Sequence, residues 1–333
     1  MTNLPKELVK ITHLRTEFHI PEGVVPAVNN VNFNIQAGET LSIVGESGCG
    51  KSVTALSIMR LIPDPPGKIV SGNINFEGVD LLKLPMSKMR EIRGNKIAMI
   101  FQEPMTSLNP LYTVGNQISE VYLEHKGYNY KDAWDNSVNI LGKVGIPSPE
   151  ERAHEYIHEM SGGMRQRAMI AMALACSPRL LIADEPTTAV DVTIQDQILN
   201  LMRDLQASTG AAILLITHNF GVVAEMADRV IVMYLGHAVE DADVDSIFDK
   251  PLHPYTRGLI GCIPFPGRKS LLGKKPLQEI PGIVPSMYEL PEGCVFHPRC
   301  RWAKDICRKQ APELVETEKG HKVACWKAVE KWV

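Results

Sequence analysis

Gly45-Glu46-Ser47-Gly48-Cys49-Gly50-Lys51-Ser52 sets three glycines, a lysine and a serine in the pattern G-x-x-x-x-G-K-[ST], directly behind the apolar run Leu41-Ser42-Ile43-Val44. Residues of these types at this spacing can hold a polyphosphate. Backbone N–H groups of the turn, from Ser47 through Cys49 to Lys51, wrap the anion, and the helix that follows adds the positive end of its dipole. Gly45, Gly48 and Gly50 let the backbone come close and take positive φ. Lys51 would reach the β- and γ-phosphates, and the Ser52 hydroxyl would help hold Mg²⁺.

A second group with chemistry follows far along the chain. Leu180-Leu181-Ile182-Ala183-Asp184-Glu185 is a buried-strand pattern ending in two carboxylates, the end at which a parallel sheet presents ligands. Asp184 would bind Mg²⁺ directly or through its waters, and Glu185 would polarise the water that attacks the γ-phosphate. Two acids before Pro186 could also be an ordinary polar turn; the loop at Gly45 favours chemistry.

These groups need elements to position them. The first hundred residues alternate β-type runs (Leu8 to Phe18, Val31 to Ile35, Leu41 to Val44, Gly72 to Phe76, Lys96 to Phe101) with turn signals, and one helix is expected, Lys51 to Arg60. Between Thr113 and Met160 the apolar spacing becomes helical, with Val114, Ile118, Val121 and Tyr122 on one face. Alternation then resumes: helix Gly163 to Cys176, strand Leu180 to Asp184, helix Ile194 to Ala207, strand Ala211 to Thr217, helix Phe220 to Ala227, strand Arg229 to Tyr234. Such order implies an α/β fold whose sheet is mostly parallel and covered on both faces. Beyond Pro251, nine prolines break any long element, so a loop-rich appendage rather than more sheet is expected.

Composition narrows the partners. A net charge of −3 over 333 residues gives no general attraction to nucleic acid or anionic lipid. The longest apolar run, Ala168 to Cys176, is nine residues, against roughly 20 needed to span a bilayer. Met1 to Lys10 carries Lys6, Glu7 and Lys10 and no apolar signal core, so the chain is expected to stay in the cytosol. There, seven cysteines are not expected to form a disulfide framework.

Ser161-Gly162-Gly163-Met164-Arg165-Gln166-Arg167, placed before a helix and within twenty residues of the acidic strand, resembles the signature motif of the ATP-binding cassette (ABC) ATPases. A serine and two glycines at a helix N-terminus present N–H groups to an anion. The usual Leu and Gln flanks are Met160 and Met164 here. The resemblance implies a P-loop NTPase core with an antiparallel β subdomain, an inserted helical subdomain over about 103–163, a nucleotide-binding domain over 1–250 and an extension over 251–333. It implies that Ser161, Gly162 and Gly163 close over ATP held by a second cassette subunit, identical or different. By the same resemblance Gln102 senses Mg²⁺ and the γ-phosphate, His218 contacts the γ-phosphate, and Asp191, in Ala189-Val190-Asp191, crosses the dimer interface. Phe18, 27 residues before Gly45, resembles the aromatic that stacks on adenine, and the resemblance implies that Val53, just after Ser52, lends its N–H to the α-phosphate.

Cys294, Cys300, Cys307 and Cys325 are separated by five, six and seventeen residues, which is not a usual zinc spacing. By spacing, an iron–sulfur cluster, zinc and unrelated thiols all stay open. The segment Pro251-Leu252-His253-Pro254-Tyr255-Thr256 and the cysteine-rich tail are similar to the C-terminal extension of the ATPase subunits of bacterial dipeptide and oligopeptide importers. Some of those hold a 4Fe-4S cluster, which implies ligand roles for the four cysteines, with His297 outside them. The resemblance further implies Mg²⁺ and ATP as cofactors, two transmembrane permease subunits and an extracytoplasmic peptide-binding protein as partners, and a peripheral place on the cytoplasmic face of the membrane. Nickel or another small cargo is an alternative, as are a redox sensor and a cassette ATPase of nucleic-acid repair or translation; those last usually carry two cassettes or a long coiled coil, and no heptad run occurs here.

Overall fold

The computed structural model describes residues 7–188, 191–263 and 279–330. Ala189 and Val190 lie outside the described residues. Strands β1 (Glu7–Ile20) and β2 (Gly23–Gln36) are joined by Pro21 and Glu22 alone, so they run antiparallel. β3 (Thr40–Val44), buried at every position, leads through the glycine loop into α1 (Lys51–Ile58). β4 (Gly67–Phe76), β5 (Val79–Asp80), α2 (Met86–Ile92) and β6 (Ile97–Ile100) follow. The expectation of one helix in the first hundred residues is corrected by α2, a short helix whose Met89 is fully buried.

Helices α3 (Pro104–Ser107), α4 (Val114–Lys126), α5 (Tyr130–Lys143), α6 (Pro149–Arg152) and α7 (Gly162–Leu174) come next. Their limits are written in local chemistry. Thr113 accepts from the Asn116 N–H to start α4, Gly127 ends it at φ 65°, and Asn129 accepts from the Asp132 N–H to start α5. β7 (Leu180–Asp184), α8 (Val192–Thr209), β8 (Ala212–Ile216), α9 (Phe220–Met226) and β9 (Arg229–Tyr234) restore the alternation. β10 (His237–Asp243), α10 (Val244–Asp249), α11 (Pro254–Gly261), β11 (Val315–Glu318) and β12 (His321–Val323) complete the main elements.

The chain divides into two compact units. One comprises residues up to Val9, Ile35–Thr40 and Phe76–Ile216; the other comprises Lys10–Asn34, Leu41–Asn75 and Thr217–Val333. In the first, β6, β7 and β8 pair in parallel, with Ile97 opposite Leu180 and Leu180 opposite Ala212. Their continuous apolar runs are buried, as a sheet covered on both faces requires.

In the second unit, β3 pairs in parallel with β9, so that Val44 lies opposite Val232, and β10 turns back antiparallel to β9. The appendage then departs from expectation. β12 pairs antiparallel with β10, Glu240 opposite Val323, and β11 pairs with β12. Among the described residues after 251, loops predominate, yet this segment adds two strands to the sheet. It also enters the core, where the rings of Tyr234, Tyr255 and Phe296 meet at 4.7 to 5.4 Å between centroids.

Candidate nucleotide site and the cysteine-rich extension

In the second unit the phosphate loop is shaped by what a side chain would strike. A Cβ at Gly45, φ 154°, would lie 2.3 Å from the Met233 carbonyl oxygen; one at Gly50, φ 103°, would lie 2.2 Å from that of Ala27. Both positions exclude any other residue. Between them Ser47 and Gly48 are exposed, which leaves the outer turn of the loop open to an anion. Lys51 is buried and donates from Nζ to the carbonyls of Gly45 at 2.8 Å and Glu46 at 3.0 Å. The Cys49 thiol lies 3.8 Å from that ammonium, and burial raises its pKa despite Lys51. Ser52 and Val53 follow in the first turn of α1, both half-buried. A glycine-walled cradle with a lysine at its base fits a phosphate chain.

His218 belongs to this unit as well. The Thr217 N–H donates to Ile43 O at 3.3 Å, so His218 emerges, exposed, beside the strand that feeds the loop. Phe18 lies half-buried near the end of β1, with its ring edge 2.9 Å from where Gly67 would carry a Cβ.

The acidic group lies in the first unit. Asp184 ends β7 with 5% of its surface exposed. Glu185 has φ +48°, a left-handed conformation that costs a non-glycine residue of order 1 kcal/mol and is held here by its N–H bond to Ile216 O at 2.8 Å. Its Oε2 accepts from Gln102 Nε2 at 3.2 Å and from the Thr188 hydroxyl at 2.8 Å. Gln102 reaches it because β6 and β7 are register neighbours, Ile100 opposite Ala183.

The serine and glycine motif opens α7 in that unit. Ser161 caps the helix, accepting from Met164 N at 3.4 Å; Ser161 and Gly162 are exposed, and Gly163 packs on Ile194. Asp191 caps α8 by accepting from Ile194 N at 3.0 Å. Gln166, buried on α7, donates to Pro186 O at 2.7 Å and so ties the motif helix to the acidic turn. Sequence reasoning did not assign Gln166.

The family profile described as "ABC transporter" matches residues 28–188, and that of the "oligopeptide/dipeptide transporter, C-terminal region" matches residues 239–307. Among curated proteins, a probable peptide ABC transporter ATP-binding protein of Sinorhizobium fredii is 54% identical over 97% of this chain and 96% of its own. The oligopeptide transport ATP-binding protein AppD of Bacillus subtilis is 50% identical over 96% of each chain. The chain belongs to the ABC transporter ATPases with the oligopeptide/dipeptide-type C-terminal region. A solved ATP-binding cassette dimer in a post-hydrolysis state, bound to ADP and Pi, is 27% identical with a TM-score of 0.65, covering 71% of this chain and 99% of its own. This ABC ATPase uses Mg²⁺ and ATP and hydrolyses ATP. Among its described residues no helix is long and apolar enough to cross a membrane.

The extension of this ABC ATPase grips the phosphate loop directly. Arg299, 5% exposed, donates to both carboxylate oxygens of Glu46 at 2.8 and 3.2 Å, and the Glu46 N–H donates to the Tyr255 hydroxyl at 2.9 Å. These contacts join residues more than two hundred positions apart, and no local pattern could have disclosed them. The extension is anchored again at Glu240, fully buried, which accepts from the N–H groups of Leu252 and His253 and pairs with His321 at 2.8 Å.

Cys294, Cys300, Cys307 and Cys325 all line one pocket, together with Phe296 and Trp302. Burial pushes the Cys294 thiol up to about 12, with the other three thiols adding to it, and burial also raises Cys300 and Cys325. Among the described residues no three His, Cys, Asp or Glu side chains are grouped to hold a metal ion. The cluster expectation therefore rests on the donor set alone: four thiols around one pocket are what a 4Fe-4S centre takes. His297 turns its Nδ1 to Cys294 O at 3.0 Å.

Proposed function

We propose that the chain is the ATP-hydrolysing subunit of a dipeptide or oligopeptide importer, peripheral at the cytoplasmic face of the membrane. The observation that carries this reading is the oligopeptide/dipeptide-type C-terminal region on the same chain as an ABC cassette, with chain-long identity to peptide ATP-binding proteins. Residues 1–250 act as the nucleotide-binding domain and 251–333 as the extension. The loop from Gly45 to Val53 takes the phosphates, Phe18 stacks on adenine, and Ser52, Gln102 and Asp184 hold Mg²⁺. Glu185 orients and polarises the attacking water, and His218 and Lys51 stabilise charge on the γ-phosphate. Ser161, Gly162 and Gly163 complete the site of a second cassette, with Asp191 at the shared interface.

The helical subdomain over about 103–163 serves as the coupling surface for two permease subunits fed by an extracytoplasmic peptide-binding protein. Support comes from an open groove of about 790 Å³ on this segment, bordered by Asn109, Asn116, Glu120 and Tyr130, and from exposed Leu111 and Tyr112 nearby. Extraction in detergent under anaerobic conditions should recover two permeases. Reconstituted in vesicles, that complex should import short peptides with ATP. A complex whose ATPase responds only to a different cargo would overturn the peptide assignment.

For the extension, the finer proposal is a 4Fe-4S cluster on Cys294, Cys300, Cys307 and Cys325. When bound it would cross-link a segment with little core of its own. Anaerobically purified protein without stoichiometric iron or broad blue absorbance would remove the cluster from the account.

A further inference from the structure

We propose that Arg299 and Tyr255 are positioning residues for the nucleotide: by holding Glu46 they set the shape and charge of the phosphate loop, and hence its affinity for Mg·ATP. The proposal rests on the nucleotide role assigned above to the loop. Glu46 is engaged at every polar group it has. Its N–H donates to Tyr255, its carbonyl accepts from Lys51 Nζ at 3.0 Å, and its carboxylate takes two bonds from Arg299. The extension is thus one residue away from the lysine that meets the phosphates.

Charge explains why this grip bears on ATP. A carboxylate inside an anion-binding loop repels the phosphates unless a cation answers it, and the buried fork of Arg299 does so at both oxygens. The same guanidinium donates to Pro281 O at 3.1 Å, next to the segment whose Val284, Met287 and Tyr288 border a cavity of about 340 Å³ along residues 46–49. One side chain therefore fixes the loop and the flank beside it. Arg299 and Tyr255 touch no reacting atom, so their effect belongs in binding rather than in the chemical step.

The test uses the assembled transporter, with a fluorescent ATP analogue for binding and phosphate release for turnover. Arg299→Met should raise both the Kd and the KM for Mg·ATP on the order of tenfold, while kcat at saturating ATP falls far less. Adding Glu46→Gln to Arg299→Met removes the unanswered charge and should restore most of that affinity, a rescue that a purely structural role would not produce. Tyr255→Phe, which keeps the ring in its core, should raise Kd a few-fold. If Arg299→Met does not assemble, Arg299→Lys, which keeps the charge and loses the fork, should show an intermediate Kd. Unchanged Kd in Arg299→Met (or in Arg299→Lys where that replaces it), a fall in kcat at unchanged KM, or no rescue by Glu46→Gln would each overturn the proposal. Wild-type protein that failed to bind Mg·ATP would instead sink the nucleotide-site reading itself.

Discussion

Gln102 Nε2 donates to Glu185 Oε2 across 3.2 Å, so the side chain expected to sense the γ-phosphate holds the carboxylate expected to activate water. The bond spans the ends of adjacent parallel strands, and Thr188 shares the same oxygen. Glu185 is held in a strained backbone conformation by its N–H bond to Ile216 O and by the Gln102 and Thr188 donors on its carboxylate, which is how a single carboxylate can be kept in one orientation.

Glu185→Gln keeps the shape of this cluster and removes the base. Steady-state hydrolysis should fall by about a hundredfold or more, while ATP stays bound and traps the closed cassette dimer. Single-turnover assays with size-exclusion chromatography would check it; rapid hydrolysis by the variant would remove Glu185 from this role.

Lys51→Ala should act earlier. Loss of the buried ammonium takes a charge from the phosphates and leaves the Gly45 and Glu46 carbonyls without that donor. Nucleotide affinity measured by calorimetry should drop by roughly tenfold or more, whereas affinity equal to wild type would contradict the placement of Lys51 at the phosphates.

The loop glycines are unequal. Gly50→Ala drives a Cβ to 2.2 Å from the Ala27 carbonyl, and should cost about 1–3 kcal/mol and abolish nucleotide binding. Gly48→Ala, at φ 78° with nothing within 4 Å, should cost only about 1 kcal/mol. Thermal denaturation of the two variants, compared side by side, reads the difference.

Acid should loosen the extension. His253 is buried, its Nδ1 accepts from the Tyr255 N–H at 3.1 Å, and burial lowers its pKa to about 4, with Glu240 opposing. Between about 6.5 and 4 the unfolded chain binds a proton that the native state refuses, so stability falls as pH falls, by roughly 3 kcal/mol over the window. Chemical denaturation from pH 7 to 4 should show that slope, flattened in His253→Asn.

The parts that were legible in the sequence share one property: their signal is local. β7 is an apolar run stopped by acids, and its observed limits, Leu180 and Asp184, coincide with the expected ones. β2 begins eight residues before the expected Val31, because Pro26, Asn29 and Asn30 interrupt its apolar alternation. α2 follows Pro85 without a side-chain cap, and β11 reads Val-Glu-Thr-Glu, so neither carries a strong periodic signature. In the site, the glycine loop and the acids announced themselves by type and spacing. Arg299, Tyr255 and Gln166 did not, because their importance comes only from what folding brings beside them.

The pairing of β12 on β10 also decides where this protein can be cut. Without the extension, β10 would lose its partner around residues 239–241, and the buried Glu240 carboxylate would lose its donors. An unprotected strand margin of that kind is a template for pairing with other chains. A shortened cassette ending near residue 250 should aggregate even though every motif for ATP is retained, which size-exclusion chromatography of the truncated chain beside the full one would read.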